Sequence, residues 1–388
     1  MSKKWRLLLA GLVLCSTLSG CWSKVEINER SFITGLFVDL TDKPGEVELT
    51  IVTPLPNRFD NTGQSGNRSD PTSFGVLSEK AVSLPEAFRK IQATLTRKLT
   101  WGQTKVIVLG RKYAEKGMDD LLEWLVREQS FHLKAFVFVA KGNAKDLTNL
   151  APVYEQSPSE VLRQFANNQT LLDKSLKDVL QSLHARQGMA VTQITIGYKT
   201  MHGEVGQRAY WAKPDGAVML QAGKMVGTLP ESDARGISWI YGSLKDPQYT
   251  IKLRDGSYTF ILYQPKNKIR PILQKEKVVF RITMTAEAGL EAADTPVDIA
   301  DPKKLQRAEA GLNQKITTSL RSALEKSQTV KADVLQLGSY LEWWYPEFWK
   351  SVRANWPDYY KENVHFEIQT QIKVVHYNGE LKPIWNLK

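Results

Sequence analysis

Sulfur and imidazole are scarce in this chain. Its 388 residues include two cysteines, Cys15 and Cys21, and five histidines. His132, His184, His202, His365 and His376 lie far apart, so no two share a helix face at metal-ligand spacing. His-Glu-x-x-His, the phosphate-binding glycine loop and the nucleophile elbow are all missing. After residue 14 no apolar run approaches the roughly 20 residues that a spanning helix needs. Glu342 with Glu347, and Asp358 with Glu362, are the carboxylate pairs that acid/base chemistry could enlist. At that spacing they read as solvated faces. These gaps argue against an enzyme: no catalytic residue, metal ligand or cofactor site is expected.

What is present begins at the amino terminus. Lys3, Lys4 and Arg6 precede a short apolar run, residues 7–14, which leads to Leu18-Ser19-Gly20-Cys21. A cationic start, a short greasy centre and small residues before a cleavage point form an export signal. Leu-Ser-Gly-Cys resembles a bacterial lipobox, in which the cysteine thiol takes a diacylglyceryl group and the peptide is cut just before it. Cys21 is therefore the expected lipidation site, and its covalent lipid the one expected attachment. Residues 1–20 are the expected cleaved leader. Cys15 leaves with it, so the body holds no disulfide and folds on its core alone.

Removing the leader lowers the formal net charge of +11 by three. A positive excess on an exported, tethered body suits an anionic membrane surface or an acidic partner. The basic residues are scattered and an exported chain seldom meets nucleic acid, so nucleic acid is not an expected partner. An apolar content of 42% and the chain length allow two or three domains.

Residues 31–40 and 46–53 read as a hairpin across the turn Thr41-Asp42-Lys43-Pro44-Gly45. Residues 54–72 are a long polar loop. Ser83 and Ser157, each with Glu three residues later, open helices. Strands at 105–109 and 134–140 alternate with helices at 121–127 and 174–186, as in a layered α/β region. We place this first region at 21–190, with room for two subdomains. A second region, 191–388, has strands at 191–198, 208–211, 217–220, 249–253, 257–263, 278–285 and 364–375, and one at 379–385. A short helix is expected near 231–242. Leu305, Leu312, Ile316, Leu320 and Leu324 recur at helical spacing, which predicts a long helix over 302–326, lying across a sheet. The fold class is α+β, or mixed α/β: several domains of mixed sheets packed with helices.

Nine rings crowd residues 340–360: Tyr340, Trp343, Trp344, Tyr345, Phe348, Trp349, Trp356, Tyr359 and Tyr360. Most are expected to be core, with one of the adjacent Trp343 and Trp344 turned outward. An outward tryptophan would suit a partner or the bilayer interface.

Cys21-Trp22-Ser23-Lys24-Val25-Glu26-Ile27 after the lipobox resembles the start of spore germination receptor C subunits, although Ser23 stands where that family usually has Asp. Phe32-Ile33-Thr34-Gly35-Leu36-Phe37-Val38-Asp39 is similar to its next strand. Residues 224–229 with Ala234-Arg235-Gly236-Ile237-Ser238-Trp239 resemble the opening of its carboxy-terminal domain. Residues 328–338, with Asp333-Val334 and Leu337-Gly338, are similar to the segment after its long helix, and the block 343–356 resembles its closing aromatic stretch. The resemblance implies a non-catalytic lipoprotein on the outer face of the spore inner membrane, working with two integral-membrane subunits of A and B type in nutrient-triggered germination. It carries over no catalytic residue; Cys21 is the one functional position it marks. The rival readings are a solute-binding lipoprotein of a transporter, which needs two matched lobes around a cleft, and an envelope hydrolase, which needs a clustered catalytic group. A small-molecule ligand is not expected on this body.

Overall fold

In the computed structural model, the described residues are Trp5, 26–55, 73–150, 154–200, 208–254, 256–275, 277–293 and 302–377. Cys21, the lipobox, most of the polar loop at 54–72 and the strand expected at 379–385 lie outside them.

Two sheets organise the chain. The larger has eight strands in the order β10-β9-β8-β7-β6-β2-β3-β4. These are β2 (Gly35–Leu40), β3 (Val47–Pro54), β4 (Phe74–Ala81), β6 (Val106–Leu109), β7 (Phe136–Ala140), β8 (Met189–Thr200), β9 (Arg208–Gln221) and β10 (Lys224–Leu229). The central four, β8-β7-β6-β2, run parallel, and antiparallel strands extend both ends. Parallel strands buried on both faces need near-continuous apolar sequence, and Val106-Ile107-Val108-Leu109 and Phe136-Val137-Phe138-Val139-Ala140 supply it.

Alternation divides each strand between two cores. Leu36, Val38, Ile107, Leu109, Val137 and Val139 face one side. There they meet α1 (Leu84–Ala93), α2 (Arg111–Lys116), α3 (Asp119–Arg127) and α5 (Leu176–His184). Phe37, Val106, Val108 and Phe138 face the other side, against α4 (Pro158–Asn167) and the 3-10 turn Lys145–Asn149. Ser83, Ser157 and Ser175 cap α1, α4 and α5 by accepting an amide N–H three residues on. Ser175 and Asp178 complete a capping box. The strand expected at 31–40 is two: β1 (Arg30–Phe32) pairs in parallel with β5 (Lys98–Thr100), and β2 starts after Thr34. Thr34 turns out of the run because its hydroxyl bonds the Val52 carbonyl at 3.1 Å and its amide the same oxygen at 2.8 Å.

The smaller sheet has the order β11-β12-β13-β14, from β11 (Gln248–Leu253), β12 (Gly256–Gln274), β13 (Lys277–Ala293) and β14 (Val364–Tyr377). The long helix α7 (Pro302–Thr329) lies across its inner face. Leu312, Ile316, Leu320 and Leu324 of α7 join Phe260, Phe280, Ile282 and Ile372 in one core. On α7, Glu309, Asn313 and Thr317 form a polar stripe over β14. Asn313 accepts from the Ile372 amide at 2.9 Å and donates to its carbonyl at 3.1 Å, Glu309 accepts from Val374 at 2.8 Å, and Thr317 bonds Thr370 at 2.6 Å. These side chains answer edge-strand groups that another strand would otherwise pair.

Helix α6 (Glu231–Tyr241) joins the two sheets. Ala234 and Ile237 belong to the same core as Ala217 and Met219 of β9 and the apolar face of α7. A Cβ on Gly236 would lie 2.9 Å from Leu320 Cα, so glycine is what lets α6 and α7 touch backbone to backbone. The boundary expected at 190/191 falls inside β8. The strands at 189–229 hydrogen-bond into the larger sheet, while Ala190, Ala217 and Met219 face the second core.

Candidate functional site

The sequence motifs resolve into packing contacts. A Cβ on Gly35 would sit 2.3 Å from Ser159 Oγ, so this glycine admits the start of α4 against β2. Asp39 closes β2 and accepts from Ala144 N at 2.7 Å and Lys145 N at 2.8 Å. Gly110 leaves room for that carboxylate, since a Cβ there would stand 1.9 Å from its Oδ1. Burial pushes the Asp39 carboxyl up to about 6, against the pull of the two amides.

The second motif forms a seam between the two halves of the molecule. The segment after α7 folds back so that Asp333 is fully enclosed. It accepts from Gly338 N at 3.0 Å and from the Trp356 indole at 2.9 Å. Burial pushes its carboxyl up to about 6, opposed by those donors. Gly188, just before β8, lies against this segment: a Cβ there would be 2.8 Å from Asp333 N. Gln187 is buried beside it and accepts from Ser339 at 3.2 Å. Tyr241, ending α6, donates to the Val334 carbonyl at 2.8 Å, and the Lys174 ammonium stands 3.2 Å from the centre of its ring. Burial holds the Lys174 ammonium below its usual range and the Tyr241 hydroxyl above its own. Ser243 donates to Asp173 at 2.5 Å. Polar groups of both halves thus interlock at 173–174, 187–188, 241–243 and 333–339.

An apolar cleft of about 650 Å3 opens on this seam between α5 and α8 (Leu337–Trp344), with Leu180, Tyr241, Leu335, Tyr340 and Trp343 on its walls. Both Trp343 and Trp344 are exposed, at 71% and 54%; one outward ring was expected. Trp349 of α9 (Pro346–Val352), and Trp356 and Tyr360 of α10 (Trp356–Asn363), are buried core residues. Tyr340, Tyr345, Phe348 and Tyr359 are half-buried against the same core.

A second, more polar cleft of about 590 Å3 lies at the amino ends of β2 and β6, beside Phe32, Phe74, Lys105 and Glu160. Lys105 reaches Glu160 at 2.8 Å and Arg163 Nε reaches it at 2.7 Å. Burial raises the Glu160 carboxyl, but the two cations outweigh it and leave it below its usual range. The cations here already have their counter-ion.

None of the suggested acid/base pairs converges on a cleft as a working pair. Glu342 and Glu347 are exposed, Glu347 is held by Lys350, and Asp358 pairs with Lys331. His132, His184 and His365 are exposed. Among the described residues no group of three or more His, Cys, Asp or Glu is placed to hold a metal ion. No described helix is long and apolar enough to cross a membrane.

The model of the "Spore germination protein N-terminal domain" matches residues 23–196, and that of "Spore germination B3/GerAC like, C-terminal" matches residues 215–378. The chain belongs to the spore germination GerAC family. Spore germination protein B3 of Bacillus subtilis (strain 168) is 26% identical over 369 residues, covering 93% of this chain and 94% of that protein. Spore germination protein KC of the same organism is 24% identical over 388 residues, covering 94% of each. The crystal structure of the GerBC protein superposes with a TM-score of 0.54 at 21% identity, covering 88% of this chain and 97% of that one. The multi-domain α+β fold expected from the sequence is therefore shared with a solved structure.

Sequence reasoning marked Asp333, Gly338 and Gly236 through the family resemblance but missed their seam partners Lys174, Gln187, Gly188 and Tyr241. The one local signal was Gly188, an isolated glycine at the head of a strand, which marks close approach of another backbone.

Proposed function

We propose that this chain is the lipid-anchored, non-catalytic C-type subunit of a nutrient receptor in the spore inner membrane, held there through Cys21 beside two integral-membrane subunits. The observation that carries the reading is where the family's motif residues fall. Gly35, Asp39, Gly236, Asp333 and Gly338 serve backbone contacts and the seam; none lines a polar pocket as a reacting group. Residues so placed fix a shape, as a subunit working by protein contact requires. The tether would be short: Cys21 to Glu26 spans at most about 17 Å fully extended. Confinement of the body to a surface raises its effective concentration toward membrane partners, so modest contacts suffice. No cofactor beyond the lipid enters this reading.

The solute-binding alternative calls for two matched lobes. An eight-stranded sheet and a four-stranded sheet of different topology are a poor basis for it. The test is Cys21→Ala expressed at normal level in spores, with fractionation and nutrient-by-nutrient germination. Loss of membrane association together with loss of response to particular nutrients is the expected result. Retention in the membrane fraction overturns the anchor, and release without a germination defect favours the solute-binding alternative.

A further inference from the structure

The smaller sheet has one face under α7 and the other in solvent. On the solvent face β12 and β13 carry Lys268, Arg270, Lys277 and Arg281, all exposed. The register sets Arg270 directly opposite Arg281. Like charges at directly opposed positions repel, so the fold tolerates a local cost here. Arg281 is relieved by Glu367 of β14 at 2.8 Å. Lys268 and Arg270 make no ion pair among the described residues. From residue 256 to 293 the hairpin has six cations, Lys266, Lys268, Arg270, Lys275, Lys277 and Arg281, against three acids, Glu276, Glu287 and Glu291, and the cations gather toward its turn. Elsewhere on the molecule cations are commonly matched: Lys105 and Arg163 share Glu160, Lys326 meets Asp233, and Lys331 meets Asp358. This hairpin departs from that habit.

The occupant must be anionic, and the surface says more about it. The clefts described above are lined by other residues. The cations stand instead on a sheet face, about 7 Å apart along a strand and about 5 Å apart across strands. The core of a protein interface is depleted of charge, whereas this face carries Lys268, Arg270, Lys277 and Arg281. A flat array of long, flexible cations suits a layer of mobile phosphates. We propose that the solvent face of the β12–β13 hairpin is where the folded body lies against a bilayer surface rich in anionic lipid headgroups. This rests on the membrane-tethered reading above and gives it an orientation: α7 and the seam then point away from the lipid, toward solvent or other subunits.

The test uses the chain from residue 21 with Cys21→Ser, which contains all the strands and helices given above and carries no lipid. Its binding to phosphatidylglycerol/phosphatidylcholine vesicles and to pure phosphatidylcholine vesicles is measured by co-sedimentation at low and high salt. The parent is expected to bind the anionic vesicles alone and to release in salt. Each Lys or Arg near an anionic surface contributes about fivefold in binding, so Lys268→Glu/Arg270→Glu/Lys277→Glu should weaken it on the order of a hundredfold. Arg89→Glu/Lys98→Glu/Lys112→Glu, the same charge change on other exposed positions, should weaken it far less. If the first triple variant fails to fold by circular dichroism, the glutamine versions replace it. No preference for anionic vesicles, or equal losses in the two triple variants, overturns the proposal. Because the protein in this assay has no lipid, that failure leaves the Cys21 anchor to be judged by fractionation alone.

Discussion

Asp333 concentrates the chemistry of the seam in one side chain. Its folded-state carboxyl titrates at about 6, above the ordinary 3.8. Between those values the folded state binds more protons than the unfolded state, so stability falls as pH rises from about 4 to about 6 and levels off above. Asp39 has the same sign and window. A shift of this size corresponds to an effect on the order of 3 kcal/mol for each group. Urea midpoints should therefore be lower at pH 7 than at pH 5, and Asp333→Asn should flatten that slope; an unchanged slope would remove Asp333 as its source. Gly188→Ala puts a methyl group into the Asp333 backbone and should cost about 1–3 kcal/mol in urea unfolding. The sequence made Asp39 visible as the end of a strand and Asp333 as part of a motif. The donors to Asp39 lie about a hundred residues away, and although Gly338 and Trp356 follow Asp333 closely, the Gly188 backbone that packs against it comes from the other half of the chain, beyond the reach of local pattern.

Elements read more easily than residues. The 3.6-residue apolar period announced α7, alternation announced β3, and a closing strand was expected at 364–375, where β14 lies. The sequence could not show that Glu309, Asn313 and Thr317 form a second, polar stripe on α7, because an ordinary solvated face looks the same until the strand beneath it is known. Asn313→Leu strips both partners from Ile372 and should cost about 1–3 kcal/mol for each group left buried and unpaired. It should also raise the tendency to aggregate, which light scattering during refolding would detect. The aromatic block divides at this scale too. Trp356→Ala should lose about 3–5 kcal/mol, as for other deletions of a buried large ring. Trp343→Ala, at an exposed position, should stay within about 0.5 kcal/mol. Comparable losses at both sites would contradict the division.

At the scale of the whole molecule, the expected cut at 190/191 falls within β8, and β8, β9 and β10 serve two cores at once. One face of each inner strand looks toward α5 and the other toward α6, and composition does not change across the boundary. The halves should therefore unfold together. Tyr241→Ala removes the bond to Val334 and the ring over Lys174, and should raise amide exchange at 173–188 and 332–339 above that in β6 and β7. Exchange that rises equally everywhere would mean global destabilisation and no separate seam.

The glycine contact between α6 and α7 restricts how such a molecule can change shape. With Gly236 against the Leu320 backbone, no side chain separates the two helices at the crossing point, and beside it Asp233 of α6 accepts from Ser322 and Lys326 of α7. Translation apart breaks the contact, and approach is already at its limit. Rotation about the crossing point is the motion that preserves this contact, and it turns the smaller sheet relative to the larger like a hand on a clock face. A signal carried from one half to the other would be carried as an angle.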